Sequence, residues 1–171
     1  MKQDKAPPSE RLALSFRQLA TASEELSIAA KDLNKTISTV EAALGTLNLG
    51  VSAWHKVAVH TDRENGSFWN RDIGYSKVGR EWGIFLRRQW GNEFDEESGG
   101  EEVWRFAEAP RWMCIEAAGK IPELLEELVA RTLATTTALK NRKAQTEEIA
   151  AVLTTLADEI VAERANVGVH K

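Results

Sequence analysis

PELLEELVARTLATTTALKNRKAQTEEIAAVLTTLADEIVAER, residues 122–164, carries one seven-residue phase without a break. Leu125, Thr132, Leu139, Thr146, Leu153 and Ile160 hold one heptad position. Ile121, Leu128, Thr135, Arg142, Ile149 and Leu156 hold the companion position four residues earlier, the alternating spacing that draws a seam down one side of a helix. A second stretch matches it in length and period. Ser9 offers a hydroxyl for a helix N-terminus, and the seam then reads Leu12, Phe16, Leu19, Ser23, Leu26, Ala30, Leu33, Ile37, Val40, Leu44 and Leu47, with Gly50 supplying the stop.

Between the helices the composition changes. Short runs rich in Val, Ile, Trp and Phe alternate with Gly, Asn and Asp clusters, which predicts strands near Val51–His60, Asp72–Val78, Trp82–Trp90 and Glu102–Phe106. Gly79-Arg80 is expected as a tight hairpin turn, and Thr61–Asn70 and the acidic Gly91–Glu101 as surface loops. Pro110 opens a short helix that stops at Gly119. The expected fold class is therefore α+β: two long antiparallel coiled-coil helices flanking a small antiparallel, Trp-rich β-sheet module with one short helix. The divisions are a tail at 1–8, a helix at 9–48, the module at 49–119 with its short helix near 110–118, the second helix at 120–165 and a tail at 166–171.

Folded antiparallel, the helices bring their polar mid-zones, Ser23–Ala30 and Thr132–Thr146, into register. Leu47 then meets Ile121, Leu33 meets Thr135 and Leu12 meets Leu156. Small flanking residues such as Ala13, Ser15, Ala20, Ala22 and Ala29 bury a wider face than a two-stranded zipper does, which points to a bundle and a homo-oligomer. Arg142, Ser23 and Thr146 are the polar seam residues expected to fix register and stoichiometry, as a single polar seam residue can.

The chemistry of the chain is sparse. A formal charge of -4 excludes bulk electrostatic coating of nucleic acid or anionic lipid, and the single cysteine, Cys114, allows no intrachain disulfide and fits a reducing cytoplasm. No run approaches the roughly 20 apolar residues of a membrane span. His55 and His60 lie five apart, so on an ideal strand they face opposite ways and make a poor metal pair with Asp62 and Glu64. The acidic residues from Glu93 to Glu102 lack the ligand spacing of a calcium loop. No phosphate loop, nucleophile elbow or zinc-protease motif occurs, and no cofactor or metal is expected.

All six tryptophans, Trp54, Trp69, Trp82, Trp90, Trp104 and Trp112, lie in the module, where large aromatics close a core too small to bury itself otherwise. Arginines run among them: Arg71, Arg80, Arg87, Arg88, Arg105 and Arg111. Alternation along the third strand assigns Trp82, Ile84 and Leu86 to the core, packed on the short helix through Trp112 and Ile115, and leaves Phe85 and Arg87 outward. Phe85, Arg87, Trp104 and Arg105 are thus the expected partner-binding residues. The resulting expectation is a non-enzymatic, oligomeric, cytoplasmic scaffold that presents the module to an unidentified protein. The alternative is an accessory factor that contacts nucleic acid through the basic-aromatic face.

Overall fold

The computed structural model describes residues 8–167. In chain order they form α1 (Pro8–Leu47), β1 (Ala53–Thr61), β2 (Ser67–Val78), β3 (Glu81–Asn92), β4 (Asp95–Arg105), a 3-10 turn (Phe106–Glu108), α2 (Arg111–Ala118) and α3 (Ile121–Val167). The fold is α+β, with one antiparallel sheet in the order β1-β2-β3-β4. The tails expected at 1–8 and 166–171 fall almost wholly outside the described residues. No described helix is long and apolar enough to cross a membrane.

The strands are longer and the loops shorter than composition suggests. Gly79, first of the two residues between β2 and β3, has φ 64°, the left-handed sign this kind of hairpin needs there. The segment expected as a long acidic loop is mostly strand, because β3 runs on to Asn92 and only Glu93 and Phe94 separate it from β4. Its tip is tied to the β1-β2 tip: Asn92 Nδ2 donates to the Asn65 carbonyl at 2.8 Å, and the Glu93 amide donates to the Gly66 carbonyl at 2.9 Å. Two neighbouring turns thus satisfy each other's backbone groups, and the ladder continues between them.

Every helix packs on one face of the sheet. Ile73 of β2 and Ile84 and Leu86 of β3 are fully buried there under Phe106, Met113 and Ala117, with Ile37 and Leu44 of α1 and Leu124 and Leu128 of α3 closing the sides. Trp82 and Trp104 lie partly buried against this core. At the short helix the expected contacts are corrected: α2 turns Met113, Cys114 and Ala117 inward, and leaves Trp112 and Ile115 exposed. The register of its three inward residues follows from Pro110, whose carbonyl accepts the amides of Met113 and Cys114 at 2.9 and 3.1 Å and fixes where the first turn begins.

The antiparallel stalk within one chain is likewise corrected. Leu33, Ile37, Val40 and Leu44 of the α1 seam pack into the module core, and Leu33 lies near α2 where Thr135 had been expected. The two long helices approach each other only at the module, where Leu44 and Leu47 share a small apolar groove with Leu125, Val129 and Leu133. On α3 the buried face is rotated from the heptad seam: Leu124 is 0 % exposed and Leu125 37 %. The sheet outcompetes a helix partner here because Ile73, Ile84 and Leu86 offer an apolar surface, and burial of a leucine there contributes roughly 1.5–3 kcal/mol.

Candidate functional site

The opposite sheet face carries no packed helix, and its side chains cover one another. Register places Trp54, Gly74, Phe85 and Arg105 in one row across the four strands, and Lys56, Asp72, Arg87 and Val103 in the next. The glycine decides the geometry. A Cβ at Gly74 would sit 2.3 Å from Trp54 Cδ2 and Cε3, so the indole lies directly on that backbone, as a glycine inside a strand often signals.

Arg87 then stacks on the indole, its guanidinium carbon 4.4 Å from the ring centroid, while Nε and Nη2 both donate to Asp72 Oδ2 at 3.1 and 2.9 Å. Asp72 is the one charged residue buried among the described residues, and Arg87 compensates it. Arg105 reaches over the Phe85 ring, 5.8 Å from its centroid, and pairs with Glu81.

The four expected partner-binding residues are therefore divided. Phe85, Arg87 and Arg105 share this open face, whereas Trp104 sits opposite Leu86 on the helical face, against the core. The expectation that Phe85 is exposed is corrected: it is 4 % accessible, roofed by its neighbours in a single layer of side chains. Both guanidinium groups already hold carboxylates. Around Phe85 this face offers a ligand a closed layer whose two arginines are already paired.

The helical face extends beyond the helices at the far end of the sheet, and a second arginine–aromatic group occupies it. Arg71 lies 4.4 Å from the Trp69 centroid and 4.9 Å from that of Trp112, and its Nη2 donates to Glu116 Oε1 at 3.0 Å. The exposed Trp112 is in this way a clamp that fastens α2 to β2. Trp69 also stacks with His60 at 5.6 Å, and Arg88 lies 5.3 Å over Trp90 without an ion-pair partner among the described residues.

His55 and His60 stand on the same face, contrary to the alternation argument. The ladder slips between Lys56 and Ala58, so His55 pairs with Ile73 and His60 with Trp69, both on the helical side. A bulge of one residue reverses parity. The two histidines still have separate surroundings, His55 beside Glu123, Glu126 and Glu127 of α3 and His60 on Trp69. Among the described residues no group of three or more His, Cys, Asp or Glu is arranged to hold a metal ion.

Cys114 is also spoken for. Burial pushes its thiol above the ordinary value, and Sγ donates to the Phe106 carbonyl at 3.1 Å. A protonated, hydrogen-bonded thiol is a poor nucleophile. Of the three register residues, Arg142 and Thr146 meet on α3, where the Thr146 hydroxyl donates to the Arg142 carbonyl at 2.9 Å and Arg142 Nη1 donates to Gln145 Oε1 at 3.2 Å. Ser23 is exposed on the outer half of α1. Neither end of this trio is buried in the single chain.

The surface left uncommitted is on the helices. Leu12, Phe16, Leu139 and Leu153 are between 60 % and 72 % exposed, and Leu19, Ile149 and Ile160 continue the same apolar stripes. No known protein family, curated protein or solved structure matches the chain.

Proposed function

We propose that the protein is a non-enzymatic interaction protein that self-associates through the bare seams of α1 and α3 and holds its sheet module at the end of the assembled stalk. One observation carries this: in helices of 40 and 47 residues, roughly 60 and 70 Å, apolar side chains at heptad spacing stay solvent-exposed over the parts that lie beyond the module core. Soluble monomers rarely expose apolar patches beyond a few hundred Å2. The occupant is a second copy of this chain, because both seams carry the same period and each supplies the knobs and holes the other lacks. Arg142, alone among Ile, Leu and Thr at its heptad position, disfavours registers that would bury it without a partner, and Thr146 lies beside it in the polar zone of α3, as Ser23 does in that of α1.

The nucleic-acid reading has less support, since Arg71, Arg87 and Arg105 are each paired to a carboxylate of the chain. Arg88 over Trp90, beside Trp69, is the feature that favours it. Retention of the full chain on single-stranded oligonucleotides at moderate salt distinguishes the two readings.

Light scattering coupled to size exclusion tests self-association. The expected result is a mass of at least two chains at tens of micromolar, and a lower mass for the triple substitution Leu12→Ser, Phe16→Ser, Leu19→Ser. These side chains touch nothing in the module, so its tryptophan fluorescence stays as in the parent. A parent protein that elutes as a monomer sinks the proposal.

A further inference from the structure

Where α1 crosses the 3-10 turn and the start of α2, the structure holds a cavity of ≈ 450 Å3. That lies within the roughly 300–1,000 Å3 of small-molecule sites, which combine apolar walls with a few polar groups. Leu26, Ala29, Ala30 and Leu33 of α1 line one side, and Ala107, Ala109 and Ile115 the other. The charged lining residues are both cations, Lys31 from α1 and Arg111 from α2. No acidic residue lines the cavity, although the chain carries 26 acidic residues against 22 basic ones. Lys31 and Arg111 are exposed and have no ion-pair partner among the described residues, while Arg71, Arg87 and Arg105 each have one.

An apolar slot with two uncompensated cations is complementary to a molecule with an apolar chain and a single anionic head. We propose that this cavity binds the anion of a medium-chain carboxylic acid, its alkyl chain between α1 and α2 and its carboxylate toward Lys31 and Arg111. The small alanine side chains on both sides leave room for an alkyl chain, whereas ≈ 450 Å3 is too little for a helix of about 10 Å diameter. The cations supply charge-assisted hydrogen bonds from two different elements, so the bound anion also ties α1 to α2. The inference does not rest on self-association, although Leu26, Ala30 and Leu33 of the slot belong to the module-proximal part of the α1 seam.

Calorimetric titration of the full chain with dodecanoate, below its micellar concentration, tests this. The expected result is one saturable site per chain. Decanoate binds about 15-fold more weakly, the loss of two methylenes at about 0.8 kcal/mol each. Dodecanol, which lacks the anion, binds at least about tenfold more weakly than dodecanoate, and the double substitution Lys31→Ala, Arg111→Ala erases that difference. Both residues are exposed, so the variant retains the fold. Occupancy slows alkylation of Cys114, the one cysteine of the chain, which lines the same cavity.

Four outcomes overturn the proposal. They are no saturable binding; equal binding of dodecanol and dodecanoate; loss of binding in the Leu12→Ser, Phe16→Ser, Leu19→Ser variant, which would assign the ligand to the bare seam; and attachment to phosphatidylglycerol vesicles without uptake of monomeric dodecanoate. A second copy lying across Leu26 and Leu33 would close the slot and produce the first of these.

Discussion

Phe85→Ala separates the observed layering of the sheet from the layering that strand alternation suggests. On a solvent-facing site the substitution costs under about 0.5 kcal/mol. In the structure Phe85 is 4 % exposed, between Gly74 and the Arg105 guanidinium, with no helix above it. A phenylalanine lost from a two-sided core costs about 3–5 kcal/mol. Here the roof is a mobile arginine, so the site can collapse and the cavity part of that cost is smaller. The expected loss is about 2–3 kcal/mol, which for a chain of this length lowers Tm by about 4–12 °C. Urea unfolding followed by tryptophan emission is the assay, since all six tryptophans lie in or beside the sheet and report it alone. Arg105→Ala, which removes the roof and keeps the ring, should cost about 0.5–1 kcal/mol, the scale of a partly exposed cation–π contact. A Phe85→Ala loss below about 0.5 kcal/mol would refute the single-layer packing, whatever the arginine does.

Two further outcomes follow from burial. Leu124→Ala, at a fully buried site, should cost about 2–5 kcal/mol in the same assay, whereas Leu125→Ala should cost under about 1 kcal/mol; equal losses would mean that α3 meets the sheet through the heptad seam after all. Burial raises the pKa of the Cys114 thiol, and burial followed by the Glu41 charge raises that of the Tyr75 phenol. In both, the folded state keeps a proton that the unfolded chain releases first, so the unfolded state binds fewer protons and stability falls as pH rises. The contribution is complete below the ordinary thiol and phenol values of 9.0 and 10.0 and is lost as pH climbs from there through the raised folded values. Denaturation midpoints across pH 8–11 check this, with a flatter slope expected for Cys114→Ala; a midpoint that rises over this range would contradict it.

Helix and strand identities were legible because each rests on local chemistry: the three-and-four spacing of the long helices, Gly79 at the hairpin, Pro110 and Gly119 around α2. Which face each element buries was less so, because that choice depends on what arrives from elsewhere in the chain. The heptad phase of α3 points at Leu125, and the sheet selects Leu124 one position away. Alternation places Phe85 correctly on the face opposite Ile84 and Leu86, yet infers exposure, since it has no means of counting a layer built from cross-strand neighbours. Gly74 and Gly83, glycines inside strands, were the available signal that something lies close over the backbone there. The slip at Val57 had no composition signal at all, and it alone decides that His55 and His60 share a face.

β4 ends at Arg105, opposite Phe85, so β3 continues past it with an unpaired backbone edge. Glu41 of α1 takes the place of the missing strand: its Oε1 accepts the Ile84 amide at 2.6 Å. This gives the order of events during folding a consequence. The meander pairs near neighbours and needs little chain closure, whereas Glu41 lies 43 residues before Ile84 and must be brought back. Until it docks, the sheet has an open β3 edge beside Trp82 and Ile84, the sort of template on which strands of other molecules add. Docking of the first helix, although that helix leaves the ribosome before any strand, is thus the step that covers this stretch of β3 edge.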